Sequence, residues 1–460
     1  MDTINDTVNN TVEEDPSITL LQDLIKFSTV SATGPSTGTY TSCASYIKNY
    51  LTSNALNNIK TLCSSPQSSC FTLGDPTSPV VVLNWIGSSP TLPCILLNCH
   101  YDVVPPGDIK QWTSALPFSG LKKDGRIYGR GAQDMKCVVA QYMSCLTKLS
   151  ESGITMKRTV VFTAVPDEEI GGAGMADFLA SDFYKGVEGR GGIGLALDEG
   201  LASEDDTYSV FYGERLPWWI KVTSKGATGH GSRFIEPTAM EQIIDVSRKA
   251  LDFRKQQKDI LHGLDCHAGC DHAVVAKRRR EKKTMGDVTS LNITAIHAGV
   301  DNGDGTYAYN VIPPEAKATF DIRISPHVDP EDIRAMINGW CQECSKGDGE
   351  VGGLEWDFIG HGNDFKTHYT TETDVEVNPY YRAFLEGVKL SGIECRPEVF
   401  PAATDSRFLR KLGIRALGFS PMRNSEILLH EYNENIKVDV FLEGVEVYMK
   451  LIPHLANCEV

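Results

Sequence analysis

Three apolar runs in the sequence each end in side chains that can bind a metal ion or transfer a proton. The runs are residues 94–98, 159–165 and 193–197. The side chains that follow them are His100, Asp102, Glu168, Glu169, Asp198 and Glu199. In an open α/β sheet, ligands bind outside the carboxyl ends of the strands. If the three runs form neighbouring parallel strands, these side chains meet at one edge of the sheet.

A further acid, Asp134, precedes a predicted helix over residues 135–149 and extends the acidic set. A buried group of carboxylates repels itself, and each ion costs several kcal/mol to desolvate. A divalent metal ion is the ordinary way to stabilise such a cluster. Histidine and carboxylate ligands without an assigned thiolate favour zinc, manganese or cobalt. Several carboxylates favour two ions, about 3.5–4 Å apart, with an aspartate between them.

Each of these acids has an ordinary structural interpretation when it is considered alone. Asp134 can cap the N-terminus of the helix that follows it, and Glu168 and Glu169 can lie in a solvated turn. Convergence of three strand ends on one edge makes coincidence a poor explanation. The sequence therefore favours a metal site.

The spacing of apolar residues predicts the elements that position these groups. Near-continuous apolar runs, including one at residues 80–86, are typical of strands buried on both faces of a parallel sheet. Their alternation with helices predicts an α/β fold with a mostly parallel central sheet. Between residues 211 and 324 the predicted order changes to strand, helix, strand, strand, which indicates a separate α+β domain.

The simplest domain plan is one α/β domain in two pieces, with an inserted domain between them. Residues 1–14 are predicted to be a disordered tail, and residues 15–208 the first piece of the α/β domain. Residues 209–325 form the predicted inserted domain, and residues 326–460 complete the α/β domain.

The composition argues against several classes of protein. Of the 460 residues, 41% are hydrophobic and 23% are charged, which is an ordinary balance for a globular protein. The 44 basic and 60 acidic residues give a formal net charge of -16, which argues against nucleic-acid binding through a basic face. No run of about 18 apolar residues is present, so we predict no membrane span and no membrane partner.

The 13 cysteines are scattered along the chain and odd in number. The acidic N-terminal stretch lacks the basic region and apolar core of a secretory signal, so we expect reduced thiols and a cytoplasmic location. The pairs Cys266/Cys270 and Cys341/Cys344 lack a second pair at zinc-site spacing, and structural zinc is not expected there. The basic run at residues 277–283 is typical of a solvated loop.

Seven motifs together identify a family resemblance. They are H-x-D-V-V-P at residues 100–105, G-R-G-A-Q-D-M-K at 129–136, P-D-E-E-I-G-G at 166–172, L-D-E-G at 197–200, G-H-G-S-R-F at 229–234, A-T-D-S-R-F at 403–408 and L-L-H-E at 428–431. The sequence resembles the zinc aminoacylase and carboxypeptidase family of di-metal amidohydrolases, and its aminoacylase branch in particular. The resemblance implies a di-zinc exopeptidase-like catalytic domain interrupted by an α+β dimerisation, or lid, domain.

The resemblance also implies a role for each candidate ligand. The implied ligands are His100 and Glu199 for one ion, Glu169 and His430 for the other, and Asp134 as the bridge. The expected cofactor is two Zn2+ per subunit, with Mn2+ or Co2+ as substitutes. Spacing alone does not distinguish Asp198 from Glu199, and the choice of Glu199 follows the family.

The implied reaction is hydrolysis of the amide bond of an N-acyl-L-amino acid to a carboxylate and a free L-amino acid. Glu168 resembles the general base that takes a proton from a metal-activated water and returns it to the leaving amine. Asp102 resembles the group that orients the imidazole of His100 through its other N–H. The alternative is a dipeptidase or carboxypeptidase of the same family. A metal-stabilised scaffold without turnover is disfavoured, because a structural site has no need of an unligated base.

Three residues outside the strand ends have implied roles in binding. His230 resembles an oxyanion donor that reaches the active site of a neighbouring subunit, which implies a homodimer formed through the inserted domain. Asn310 resembles a family asparagine near the same site. Arg407 is the candidate for gripping the carboxylate of a small substrate, because arginine offers bidentate geometry to such a group.

Overall fold

The computed structural model describes residues 14–263, 283–346, 353–360 and 366–459. The tail predicted to be disordered lies, except for Glu14, outside the described residues. The pair Cys266/Cys270 and nearly all of the basic run at 277–283 also lie outside them.

The strands of the described residues are numbered in chain order. They are β1 (Ser69–Leu73), β2 (Val80–Trp85), β3 (Cys94–His100), β4 (Leu121–Lys123), β5 (Arg126–Tyr128), β6 (Val160–Val165), β7 (Ile193–Asp198), β8 (Tyr208–Glu214), β9 (Leu216–Lys225), β10 (Gly229–His230), β11 (Ser290–Ala298), β12 (Val311–Ile312), β13 (Glu315–Ile324), β14 (Leu354–Phe358), β15 (Cys395–Phe400), β16 (Ala416–Gly418) and β17 (Asn435–Lys437).

The α-helices of the described residues are numbered in the same way. They are α1 (Pro16–Lys26), α2 (Gly34–Thr37), α3 (Thr39–Leu51), α4 (Asn57–Thr61), α5 (Lys136–Glu151), α6 (Ala173–Ala180), α7 (Asp182–Glu188), α8 (Ala239–Leu261), α9 (Pro330–Cys344), α10 (Pro379–Lys389), α11 (Ser406–Lys411) and α12 (Val438–Asn457). Among the described residues, no helix combines the length and the apolar character that crossing a bilayer requires.

The chain divides into two compact units. Unit 1 comprises Met1–Val210, Glu372–Arg396 and Ile414–Val460, and unit 2 comprises Phe211–Thr371 and Pro397–Gly413. The chain passes from one unit to the other within β8 and within β15.

The central sheet has the strand order β1-β2-β6-β3-β7-β16-β8-β15. In unit 1, β3 is parallel to both of its neighbours, β6 and β7, and β16 is parallel to β7. Every residue of β2, β3 and β6 is buried. Because successive side chains of a strand point to opposite faces, this burial requires cover on both sides of the sheet. Helices α5 and α12 pack against each other and contact β3, and α3 and α6 contact β2.

Unit 2 contains a four-stranded antiparallel sheet in the order β11-β13-β9-β14. Buried residues alternate along β9 and β13, so one face of this sheet forms a core and the other is more exposed. Helix α8 packs on β11, β13 and β9. It begins where the Thr238 side chain accepts a hydrogen bond from the backbone N–H of Glu241, as an N-cap does.

The structure divides the chain differently from the domain plan predicted from the sequence. The predicted inserted domain ends at residue 325, whereas unit 2 also contains α9 and β14. The reason is packing, because Ile333, Ile337 and Cys341 of α9 are buried in the core of unit 2, and β14 pairs with β9. The first strand of the strand, helix, strand, strand order predicted from residue 211 is two strands, β8 and β9, that are separated at Arg215.

Candidate metal centre

The three neighbouring parallel strands β6, β3 and β7 bring the predicted metal ligands and the predicted base to one edge of the sheet. His100 is the last residue of β3, and it is in register with Val165, the last residue of β6. Glu168 and Glu169 lie in the short 3-10 turn that follows β6. Glu199 directly follows β7, which pairs with β3 on its other side.

His100 lies among carboxylates in the interior of unit 1. Its side chain is 1% exposed, and its Nε2 atom is 3.2 Å from Asp134 Oδ1 and 3.4 Å from Glu199 Oε2. Burial opposes a charged imidazole, but hydrogen bonds to Asp102, Asp134 and Glu199 outweigh it and raise the pKa of His100 well above its ordinary value.

His430 makes the matching contacts on the other side of Asp134. Its Nε2 atom is 3.2 Å from Asp134 Oδ2 and 3.2 Å from Glu169 Oε2. Hydrogen bonds with these two carboxylates raise the pKa of His430 to about 10. The carboxylate of Asp134 therefore lies between two histidines, with one oxygen directed to each, and each histidine has a second acid as its neighbour.

The electrostatics reflect this crowding of carboxylates. Burial and the negative charge of Asp134 raise the pKa of Glu199 well above its ordinary value, and the same two causes raise the pKa of Glu169. Burial also opposes the charged form of Asp134, but hydrogen bonds from the two histidines lower its pKa. Positive charge beside Asp134 therefore stabilises the centre.

The donor set fits divalent metal ions. One ligand atom each from His100, Asp134 and Glu169 lie within 4.8 Å of one another, and the same holds for His100, Glu168 and Glu199. Glu169 Oε1 is buried and has no hydrogen-bond partner among the described residues. A buried carboxylate oxygen without a donor is costly unless a cation is bound next to it.

Asp102 connects the His100 side of the centre to the turn that carries Glu168. It is fully buried, and its carboxylate accepts hydrogen bonds from the backbone N–H groups of Glu168 and Glu169 and from the hydroxyl of Ser31. His100 Nδ1 is 3.0 Å from the main-chain carbonyl oxygen of Asp102 and 3.4 Å from its carboxylate. The backbone carbonyl is therefore the nearer acceptor for the imidazole.

The neighbouring acids Asp198 and Glu199 face different surroundings. Asp198 is the last residue of β7, and its carboxylate accepts a hydrogen bond of 3.0 Å from the amide of Asn98. The side chain of Asn98 in turn accepts a bond from the hydroxyl of Thr163. Glu199 is the acid whose carboxylate contacts His100.

Sequence reasoning missed Arg130 and Glu434, two residues that bind the backbone of the predicted ligands Asp134 and His430. Glu434 is fully buried, and burial raises its pKa to about 7 despite the opposing effect of Arg130, whose Nη1 lies 2.8 Å from Glu434 Oε2. Arg130 lies in the motif at 129–136, but Glu434 lies in the polar segment H-E-Y-N-E-N, which has the composition of a surface loop. No sequence signal distinguishes this buried acid from its exposed neighbours.

Unit 2 contains the three remaining predicted site residues. His230 lies in β10, which pairs with β12, and its exposed imidazole contacts the hydroxyl of Ser232 at 2.7 Å. The backbone N–H of Gly231 donates to the carbonyl of Asn310, so the segments of His230 and Asn310 are adjacent. Arg407 lies on α11, where it donates to the carbonyl of Thr404 and lines a small cavity.

Comparison with known proteins places this chain in a family. Residues 96–454 match the model of peptidase family M20/M25/M40. Aminoacylase-1 of Dictyostelium discoideum is 41% identical over 386 residues, which are 83% of this chain and 87% of that protein.

Two solved structures share the fold. The M20 family metallo-carboxypeptidase Sso-CP2 of Sulfolobus solfataricus superimposes with a TM-score of 0.64 at 19% identity, over 96% of this chain and 100% of that chain. YXEP of Bacillus subtilis, a dinuclear metal-binding M20 peptidase, superimposes with a TM-score of 0.61 at 15% identity, over 95% of this chain and 97% of that chain.

The chain belongs to peptidase family M20/M25/M40. The resemblance predicted from the seven motifs is therefore confirmed. The predicted fold class, an α/β fold with a mostly parallel central sheet, is confirmed, as is the predicted enzyme class, a hydrolase of amide bonds.

Proposed function

We propose that this chain hydrolyses N-acyl-L-amino acids to a carboxylate and a free L-amino acid. One observation carries the proposal, namely the Asp134 carboxylate between two histidines with Glu168 beside them. The family supplies the reaction class, amide hydrolysis, and the similarity to proteins named Aminoacylase-1 over 83% of the chain supports the substrate class.

The centre is proposed to bind two Zn2+ ions per subunit, for which Mn2+ or Co2+ can substitute. His100 and Glu199 would hold one ion, Glu169 and His430 the other, and Asp134 would bridge them. When bound, such ions lower the pKa of a water to about 7 and polarise a substrate carbonyl. Histidine nitrogens and carboxylate oxygens are ordinary ligands for zinc in catalytic sites.

Glu168 is proposed to move the proton. Its carboxylate takes a proton from the attacking water as the new carbon–oxygen bond forms, and delivers it to the amide nitrogen as the carbon–nitrogen bond breaks. Asp102 holds the backbone N–H groups of Glu168 and Glu169, so it fixes the direction in which both side chains leave the turn. Burial of Glu168 keeps bulk water away from the carboxylate that carries the proton.

Three residues outside the strand ends are proposed to contact the substrate. The guanidinium of Arg407 would bind the substrate carboxylate, which a chain of net charge -16 must otherwise repel. His230, with Asn310 on the adjacent segment, would donate a hydrogen bond to the substrate oxyanion in the active site of a neighbouring subunit. The proposed assembly is therefore a homodimer formed through the inserted domain. The free cysteines of the described residues support a reducing location such as the cytoplasm.

Three substrates that share one amino acid test this function. N-acetyl-L-methionine and L-alanyl-L-methionine have the same scissile position and the same carboxylate, so they differ only in the acyl group. The zinc-loaded protein should hydrolyse N-acetyl-L-methionine with the higher kcat/KM. N-acetyl-L-methioninamide, which lacks the carboxylate, should be a poor substrate. A higher kcat/KM for the dipeptide would assign the chain to the dipeptidases, and hydrolysis of none of the three would contradict the proposal.

A further inference from the structure

The loops that carry Asp134 and His430 are joined by a buried set of hydrogen bonds. Glu434 is fully buried, and its two carboxylate oxygens accept four hydrogen bonds. The donors are Arg130 Nη1 at 2.8 Å and the backbone N–H groups of Gly131 at 3.1 Å, Gln133 at 2.7 Å and Asp134 at 3.3 Å. One side chain of the His430 loop therefore fixes the backbone that leads into the bridging aspartate.

The reverse contacts come from Arg130 and Gln133. Arg130 Nη2 donates to the carbonyl of His430 at 3.1 Å, and Arg130 Nη1 donates to the carbonyl of Glu431 at 3.2 Å. The guanidinium also lies over the ring of Trp112, 5.2 Å from its centroid, which limits its rotation.

Gln133 binds the same loop at three more points. Its side-chain amide donates to the carbonyls of Glu426 and Asn435 and accepts from the backbone N–H of Leu428.

His430 needs such support because its side chain is only partly packed and its backbone adopts an unfavourable conformation. Its side chain is 52% exposed, so packing against neighbours restrains it only in part. Its backbone φ angle is +63°, in the left-handed region that residues other than glycine rarely adopt. Residues persist in that region when the surrounding structure determines their conformation, and here the carbonyl of His430 is bound by Arg130.

We propose that Arg130, Gln133 and Glu434 form a clamp that positions Asp134 and His430 for binding the second metal ion. They are positioning residues, because they act through the two ligands. The inference rests on the proposed metal pair. The ion held by Glu169 and His430 depends on the clamp for two of its three ligands, whereas the ion held by His100 and Glu199 depends on it for Asp134 alone.

Metal titration of the apoprotein tests the clamp. Wild type and Glu434→Gln are titrated with Zn2+ by calorimetry, and with Co2+ by visible absorption, whose bands report the ligands of each ion. In Glu434→Gln the site that contains His430, identified as the site weakened in His430→Ala, should lose affinity by about 10–100-fold, while the site that contains His100 changes less. Arg130→Lys keeps the charge but not the fork that reaches two carbonyls, so it should show the same selective loss even if Glu434→Gln fails to fold.

A matched control separates the clamp from a general effect of removing an arginine–glutamate pair. Arg423 and Glu443 form a bidentate pair in the same unit, at 2.7 Å and 3.0 Å. Glu443→Gln should leave both Zn2+ affinities unchanged. Three results would overturn the clamp. They are equal weakening of both sites in the clamp variants, an unchanged affinity of the site that contains His430 in folded clamp variants, and the same loss in Glu443→Gln. A wild-type protein that binds fewer than two ions would instead overturn the proposed metal pair, and the clamp with it.

Discussion

The two histidines of the centre are held by different parts of the fold. His100 is the last residue of a buried strand, and its position is fixed by pairing with strands on both sides. His430 lies in a loop, with an exposed side chain and a left-handed backbone, and one hydrogen bond from Arg130 holds its carbonyl. A ligand on a strand is therefore positioned by the sheet itself, whereas a ligand on a loop requires side chains dedicated to it.

The largest expected effect comes from a variant that leaves both histidines in place. Glu168→Gln keeps the shape of the side chain but removes its capacity to accept a proton. The kcat for N-acetyl-L-methionine should therefore fall by about 100-fold to 10,000-fold. Zinc per subunit, measured by atomic emission, should equal that of wild type. Full activity in Glu168→Gln would contradict the proposed base, and loss of zinc would show that Glu168 is a ligand.

The second prediction compares the two histidines directly, in metal-free protein at pH 7. His100→Ala leaves Asp102, Asp134 and Glu199 buried without their shared partner, which should lower the free energy of unfolding by up to about 3–5 kcal/mol. His430→Ala removes a half-exposed partner of the buried Asp134 and Glu169, so it should cost less, about 1–2 kcal/mol. Urea denaturation in the presence of a chelator measures both values. Equal losses would show that the sheet does not hold His100 more firmly than the loop holds His430.

The same contrast explains how much of the site the sequence predicts. The positions of His100, of the Glu168–Glu169 pair and of the Asp198–Glu199 pair follow from apolar runs and the rule that ligands bind at strand ends. The choice of Glu199 over Asp198 follows from the family resemblance. His430 follows only from the family resemblance, because no periodic pattern surrounds it. Glu434 is not predictable from the sequence, since its burial depends on how the 129–134 loop packs over it.

The fold shows a similar division. Strands β2, β3, β6 and β7 of the central sheet were predictable because each is a short apolar run, and the structure places them within two residues of the predicted bounds. Strand β1 was not predicted. Helix α9 was not predicted, although Asp329 and Pro330 are typical of a helix start and Ile333, Ile337 and Cys341 recur at helical spacing. The break between β8 and β9 was also missed, although Gly213, Glu214, Arg215 and Pro217 interrupt the apolar pattern there.

The smallest expected effect concerns the ion pair of Arg423 and Glu443, which lie on either side of His430 in the sequence. Hydrogen bonds from Arg423 lower the pKa of Glu443, so the pair stabilises the protein at neutral pH, and this contribution is lost as the pH falls through the lowered pKa. Because both side chains are about one-third exposed, Glu443→Gln should cost only about 0.2–1 kcal/mol at pH 7.

Urea denaturation of the metal-free proteins between about pH 7 and pH 3 measures this difference, which should stay constant down to about pH 5 and narrow below it, because the carboxylate of the unfolded chain and then that of the folded protein become protonated there. A difference that stays constant over this range would mean that Glu443 acts through packing or through its bond with Tyr208. A cost of several kcal/mol would mean that the His430 segment is anchored at Arg423 as firmly as at Arg130. In that case the loop would be held along its whole length, and the contrast between the two histidines would weaken.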